Sequence, residues 1–420
     1  MKGITESPGN RWASNDTILA VYRPVPPGAR YRSCSTLTAT RKKRILSIQP
    51  GAERGGSDYC LLRMVRSLAG DGWECHIALP ARSPLEGDFV GAGAVLHVVP
   101  MKRITKSGSP LYWAGYLLTW PVSVVRLIRL ARKINPGIIH SNSLHSWYGW
   151  AVAAIVGRPH VWHGREIVFQ SSAALKVERW LCRHFAAKVI AVSVPVGLQL
   201  EGADVTVIHD VVDATEFSPG RAGRFRKRVG IADEAPLVGA AGRIDTWKGF
   251  DVVLDAVESM QAARPGLEVA IAGGPIQGKQ EYAERLSSRA AGMVGVHWLG
   301  ERDDMADFMA DLDAFVLAST EPEPYGMVLT EALASGVPVV ATDHGGPPEI
   351  LADLPEATGR LVPPCDPSAL AQAAIAILPP GSSGVERRKG RHAVLLEQTT
   401  TFSEVFEGVL SPGEKGGPRG

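Results

Sequence analysis

Cysteine is scarce in this chain, and the five residues present, Cys34, Cys60, Cys75, Cys182 and Cys365, are odd in number and scattered without a Cys-x-x-Cys spacing. Neither a disulfide framework nor a zinc site is indicated, and the thiols read as small core residues of a reduced, cytosolic protein. Long apolar runs are lacking too. The first 30 residues hold only Thr17–Tyr22, too short for the apolar core of a secretory signal, so export is not expected. The most apolar stretch, 111–128, keeps roughly 15 uninterrupted apolar residues before a charge, short of the ~20 a spanning helix needs, and Pro121 is expected to break it. Carboxylates are missing altogether from Phe89 to Arg165, where nine Lys or Arg stand unopposed. That window points to an anionic surface, either lipid head groups or a phosphorylated ligand. No nucleic-acid recognition motif accompanies it, so nucleic acid is not an expected partner. The first glycine-rich loop, PGAERGGSD, is not Gly-x-Gly-x-x-Gly, which argues against a nicotinamide enzyme.

Glycine and proline, by contrast, are plentiful at 45 and 30 residues, within a composition that is 45% apolar, as in a turn-rich globular protein. The 420 residues suffice for two domains of ordinary size. A net charge of +2 hides a split: residues 1–200 carry 26 Lys and Arg against 10 acids, and residues 201–375 carry 13 against 28. This change of sign, with several helix breakers, places a hinge near 193–204. Residues 1–43 read as a flexible basic arm. From Arg44 onward, buried strands (44–49, 75–79, 95–99, 137–140, 160–162, 188–193) alternate with stretches at helical spacing. A strand at 205–209 follows the hinge, and the second half repeats the alternation with strands at 237–241, 268–272, 296–299, 315–319, 337–342 and 359–362. Such alternation calls for parallel sheets covered on both faces. The expected division is a first domain over 44–200, a second over 201–380, and a tail over 381–420 with an amphipathic helix at 402–410. In helix 111–128, Tyr112, Trp113, Tyr116 and Trp120 cluster at one end and Arg126, Arg129, Arg132 and Lys133 follow at the other. The aromatic half fits either a membrane interface or packing on the sheet.

The stretch VLASTEPEPYGMVLTEALASGVPVVA, 316–341, organises the rest: strand, broken turn, helix, strand. Its helix N-terminus points free N–H groups out of the carboxyl edge of a sheet, where they suit a phosphate. Glu323 and Glu331 are eight positions apart, a little over two turns, so they lie on roughly the same side, one before the helix mouth and one inside it. The string EPYGMVLTEALASGVPVVAT resembles the signature of family 4 glycosyltransferases: a Glu, seven residues, a second Glu, then a small-residue helix ending in Gly-x-Pro-Val-Val. The likeness runs over roughly Ile45 to Leu378. It implies an α/β architecture of two facing Rossmann-like domains, the GT-B fold, with a cleft between them and a C-terminal helix crossing back over the first domain.

A sugar nucleotide presents a ribose, a diphosphate and a sugar whose anomeric carbon becomes cationic as its bond to phosphate stretches. Cations and aligned N–H groups suit the departing diphosphate. In AAGRIDTWKGF the resemblance assigns Arg243 and Lys248 to it. Glu331 resembles the acid that takes the ribose hydroxyls, and Glu323, preferred by spacing over Glu321, the one at the transferred sugar. Backbone N–H groups of Gly326, Met327 and Val328 would meet sugar and phosphate oxygens. Gly55 and Gly56 resemble paired glycines that let backbone approach the diphosphate, with Asp58 where relatives commonly have Glu. His163 resembles the histidine facing the donor sugar, and Asn142 and Glu166 are candidates for acceptor contacts. No carboxylates are placed as an Asp-x-Asp metal clamp, so no metal and no other cofactor is expected. The resemblance implies retention at the anomeric carbon, by front-face departure and attack.

The function expected is transfer of a hexosyl unit from a UDP- or GDP-sugar to a lipid-linked or polysaccharide acceptor in envelope or exopolysaccharide synthesis. A cytoplasmic protein, peripheral on an anionic membrane, fits the basic window. Transfer to a small sugar or metabolite is the alternative enzyme, and a non-catalytic nucleotide-sugar sensor or scaffold the alternative of another class.

Overall fold

A computed structural model describes residues 43–411, apart from 53–54, 105–109, 170, 277, 380–383, 397 and 399. The arm expected over 1–43 lies outside the described residues except for Lys43.

In the first half, β1 (Arg44–Ile48), α1 (Gly56–Gly70), β2 (Glu74–Leu79), α2 (Glu86–Gly91) and β3 (Val95–Val98) lead into the long α3 (Pro110–Ile134). Then come β4 (Ile138–Ser141), α4 (Gly149–Val156), β5 (His160–Gly164), α5 (Ser172–Phe185), β6 (Lys188–Ala191), α6 (Val194–Leu198) and β7 (Val205–Val207). The seven strands form one parallel sheet in the order β3-β2-β1-β4-β5-β6-β7. The second half runs α7 (Phe225–Val229), β8 (Leu237–Ala241), α8 (Phe250–Ala263), β9 (Glu268–Ala272), α9 (Gln280–Ala291), β10 (Val296–Gly300), α10 (Met305–Asp311) and β11 (Ala314–Leu317). It closes with α11 (Met327–Ala334), β12 (Val339–Thr342), α12 (Pro347–Leu351), β13 (Gly359–Val362) and α13 (Pro367–Ile377), in a parallel sheet ordered β10-β9-β8-β11-β12-β13. Strands such as β8, LVGAA, are buried along their whole length, as strands covered on both faces must be. In each sheet the order reverses beside its first strand, between β1 and β4 and between β8 and β11. Ligands of such sheets bind in the crevice at the carboxyl ends of those strands.

Two expectations change. β7 pairs with β6, Val189 opposite Val205, so the first sheet extends past the boundary expected at 200/201 and the domains change after Val207. The breakers read as a hinge instead build α6, capped by Ser193 and opened by Pro195, inside the first domain. α3 also runs unbroken through Pro121. Pro121 is exposed, so the carbonyl it leaves without a donor can take water. Upstream, Thr119 Oγ1 donates to Gly115 O at 2.7 Å, and across the proline Ser123 Oγ donates to Thr119 O at 2.9 Å. The aromatic half turns inward: Trp113, Tyr116 and Trp120 pack with Tyr148 and Trp150 against the sheet. What faces out is aliphatic, with Leu111, Leu117 and Leu118 each at least 70% exposed, beside Val122 and Val125.

The chain after α13 is anchored by buried guanidinium groups. Within α14 (Val385–Lys389), Arg388 pairs with Asp233 at 2.7 Å and Asp311 at 3.3 Å, and just past it Arg391 pairs with Asp313 at 2.8 Å. α15 (Phe402–Leu410) then crosses back to the first domain, its Phe402, Val405 and Phe406 joining the core formed by Ile45, Leu61 and Ile138. Trp73 fixes it twice, by a hydrogen bond from Nε1 to Ser403 Oγ at 3.1 Å and an edge contact with Phe406 at 5.6 Å. Replacing the fully buried Phe406 by Ala removes that plug at a cost of about 3–5 kcal/mol, so the urea midpoint falls. An unchanged midpoint contradicts this docking.

Candidate active site

The wall contributed by the second domain starts at the end of β8. Gly249 takes φ +67°, and a Cβ there would lie 1.8 Å from the carbonyl oxygen of Ala318, so only glycine lets this turn press on the loop after β11. The close approach sets Lys248 Nζ 2.5 Å from Glu323 Oε2, with side chains 11% and 8% exposed. Ser319 Oγ donates to the same oxygen at 2.9 Å, and Lys248 Nζ stands 4.4 Å over the Trp247 ring. The backbone of Glu323 is fixed from the loop after β12: Gly346 N donates to its carbonyl at 2.7 Å, and Gly345, at φ +77°, lies where a Cβ would meet that carbonyl at 2.2 Å. Glu321 is exposed. Arg243, beside Gly242, is exposed as well and has no hydrogen bond or ion pair among the described residues. α11 starts at Met327 behind Gly326, with no side-chain cap, so the first-turn N–H groups of Met327 and Val328 have no partner inside the helix. One turn on, Glu331 accepts from Arg63 Nη2 at 3.1 Å, across the cleft from α1. Burial raises its carboxyl above the usual range, and the Arg63 charge opposes that rise.

The first domain supplies the facing loop. Gly55 caps α1 in an extended conformation, and Gly56 is exposed with open space where a Cβ would stand. Asp58 is buried, accepting from Gln49 Nε2 at 3.2 Å. Asn142, also buried, donates through Nδ2 to Gln49 Oε1 at 3.1 Å and to Ser57 O at 3.2 Å. Asn142 therefore braces the glycine loop, and its Oδ1 has no partner among the described residues. Glu166, the other candidate for an acceptor contact, is held by the loops beside it. One oxygen accepts from Ser143 Oγ and the other from the N–H groups of Leu144 at 3.0 Å and Arg165 at 3.1 Å, so its carboxylate ties the loops after β4 and β5 together. His163 lies in β5. Its ring is closed off from solvent at 1% exposure, packed against Phe402 of α15 at 5.6 Å and His140 at 5.7 Å. Burial, and then the charge of Arg165, holds it well below the usual histidine range, so the ring is neutral. At the end of β5 the group that reaches toward the second domain's entry segment is Arg165, paired with the buried Asp210 and 3.3 Å from His163 Nε2.

Residues 54–216 match the model of Glycosyltransferase Family 4, and residues 222–384 match that of Glycosyl transferases group 1, the two meeting between β7 and α7. The D-inositol 3-phosphate glycosyltransferase of Nocardioides sp. is 33% identical over 412 residues, covering 86% of this chain and 87% of its own. The chain belongs to glycosyltransferase family 4. The lipopolysaccharide core biosynthesis mannosyltransferase LpsB of Rhizobium meliloti is 28% identical over 313 residues, 66% of this chain and 86% of its own. Among solved structures, Anabaena HepE in complex with UDP and glucose superposes with a TM-score of 0.66 at 24% identity, covering 82% of this chain and 94% of that one. WaaG, a glycosyltransferase involved in lipopolysaccharide biosynthesis, gives 0.59 at 15% identity, covering 89% and 100%. The transferase thus has the GT-B fold.

Sequence reasoning passed over Arg63, the Arg165–Asp210 pair and the Gly345–Gly346 clamp of this transferase. Arg63 carried a signal: it is the one charge within the apolar run YCLLRMV. Arg165 and Asp210 carried none, because 45 residues separate them in the chain. The site reading predicts that Lys248→Ala and Glu331→Ala each abolish the thermal shift induced by a nucleoside diphosphate. A full shift retained by both variants contradicts it.

Proposed function

We propose that this glycosyltransferase moves a hexosyl unit from a UDP- or GDP-sugar to a lipid-linked or polysaccharide acceptor in envelope or exopolysaccharide synthesis, with retention and without a metal. The observation that carries the reading is the Lys248–Glu323 pair held at the mouth of α11. As the bond from anomeric carbon to phosphate stretches, negative charge grows on the diphosphate and positive charge on the sugar. In this reading Lys248, Arg243 and the free N–H groups of α11 take the first, and the Glu323 carboxylate the second. The acceptor hydroxyl attacks from the face the diphosphate leaves, and its proton passes to the departing phosphate oxygen. Glu331 takes the ribose hydroxyls. The names of relatives support the class: LpsB is a mannosyltransferase of the lipopolysaccharide core, and HepE is recorded with UDP and glucose.

A lipid-linked acceptor fits the outer face of α3. Its exposed Leu111, Leu117, Leu118, Val122 and Val125 continue into Arg126, Arg129, Arg132 and Lys133, a pattern suited to lying on an anionic bilayer with the aliphatic ridge in the interface and the cations at phosphate depth. This reading puts the enzyme in the cytoplasm, peripheral on the inner face of the membrane. A second reading, transfer to a small phosphorylated polyol in solution, is favoured by the inositol 3-phosphate relative.

Incubation with UDP- and GDP-sugars should give slow donor hydrolysis that Glu323→Gln removes; absence of hydrolysis and of transfer to every acceptor class favours a sensor. Flotation with phosphatidylglycerol vesicles should carry the wild type and leave Leu117→Glu/Leu118→Glu behind. A wild type that stays unbound favours the soluble acceptor.

A further inference from the structure

Arg63 stands at the centre of the cleft without a role in the chemistry above. It projects from α1, two turns past the glycine loop, and its guanidinium reaches the opposite domain: Nη2 lies 3.1 Å from Glu331 Oε1 and Nη1 4.0 Å from Met327 Sδ. The Phe217 ring lies 6.0 Å beneath its Cζ. One turn further, Arg66 makes a second crossing to Asp213 at 3.3 Å. The two differ in kind. Arg66 and Asp213 are 44% and 28% exposed, so water screens them, whereas Arg63 and Glu331 are 10% and 14% exposed and their attraction is little screened.

Glu331 has one carboxylate to offer, and a vicinal diol needs both of its oxygens. We propose that Arg63 is a cross-cleft latch: in the empty enzyme it holds the carboxylate of Glu331, closes the two domains on each other, and must be displaced before a nucleotide's ribose can enter. The inference rests on the assignment of Glu331 to the ribose. Arg63 is thereby a device of affinity and selectivity. A ligand with phosphate but no ribose diol, such as inorganic pyrophosphate, has nothing to exchange for the ion pair, while a nucleotide supplies two hydroxyls to the carboxylate. A latch that leaves about one molecule in ten open weakens apparent affinity about tenfold, because the binding constant scales with the competent fraction.

The test is calorimetric titration of the full chain with UDP and with GDP, each beside its 2′,3′-dideoxy form. Arg63→Gln should bind the better ribonucleotide about tenfold more tightly than wild type, and Arg63→Lys, which keeps the cation, should return most of the way to the wild-type value. Binding to Arg63→Gln that is unchanged or weaker overturns the latch, as does Arg63→Lys behaving like Arg63→Gln. The dideoxy forms separate this from the underlying assignment. A wild type that binds the dideoxy and ribo forms equally overturns the role of Glu331, whatever the Arg63 variants do.

Discussion

The cleft of this transferase depends on an ammonium and a carboxylate brought together out of bulk water. Lys248 arrives from the turn after β8 and Glu323 from the loop after β11, 75 residues apart in the chain. Neither could be left alone there, since an unpaired charge in so closed a place costs several kcal/mol. Much of the local architecture serves this meeting. Gly249 removes the Cβ that would hold the two loops apart, Ser319 supplies a further donor to the carboxylate, and Gly345 and Gly346 clamp the Glu323 backbone from the loop after β12.

A second pair, Arg63 with Glu331, repeats the arrangement across the domains, so the empty cleft is neutralised by its own side chains. Paired in this way, the four charges can stay enclosed in the cleft without a ligand. Lys248 is balanced by Glu323 and Glu331 by Arg63. The exception is Arg243, whose guanidinium waits in solvent at the rim.

Much of this was legible in the sequence, and the reasons differ by element. Strands buried on both faces spell continuous apolar runs, so β1, β8, β11 and β12 stand within a few residues of where composition puts them. The helix opened by Gly326 and closed near Gly336 was equally plain, because glycine punctuates both ends. The boundary between domains was misplaced because breakers announce a turn without saying which side of it stays in the sheet; β7 returns to β6 after them. Pro121 misled for a similar reason: a proline breaks a helix only where its lost hydrogen bond matters, and on the solvent face of α3 it does not. The role of His163 was assigned by family likeness, and Glu166 was a candidate for its nearness along the chain. Exposure and hydrogen-bond partners, which decide what such residues can touch, are properties of the folded chain; here α15 covers the one and two neighbouring loops occupy the other.

The account stands on a single placement: a nucleoside diphosphate lying between the domains with its pyrophosphate at Lys248 and the mouth of α11 and its ribose on Glu331. A crystal structure of the protein grown with UDP or GDP tests it most directly. The account predicts density for the pyrophosphate within hydrogen-bond distance of Lys248 Nζ and the N–H groups of Met327 and Val328, with both ribose hydroxyls on the Glu331 carboxylate. Density for the nucleotide outside that cleft, with the Lys248–Glu323 and Arg63–Glu331 pairs left intact, contradicts it.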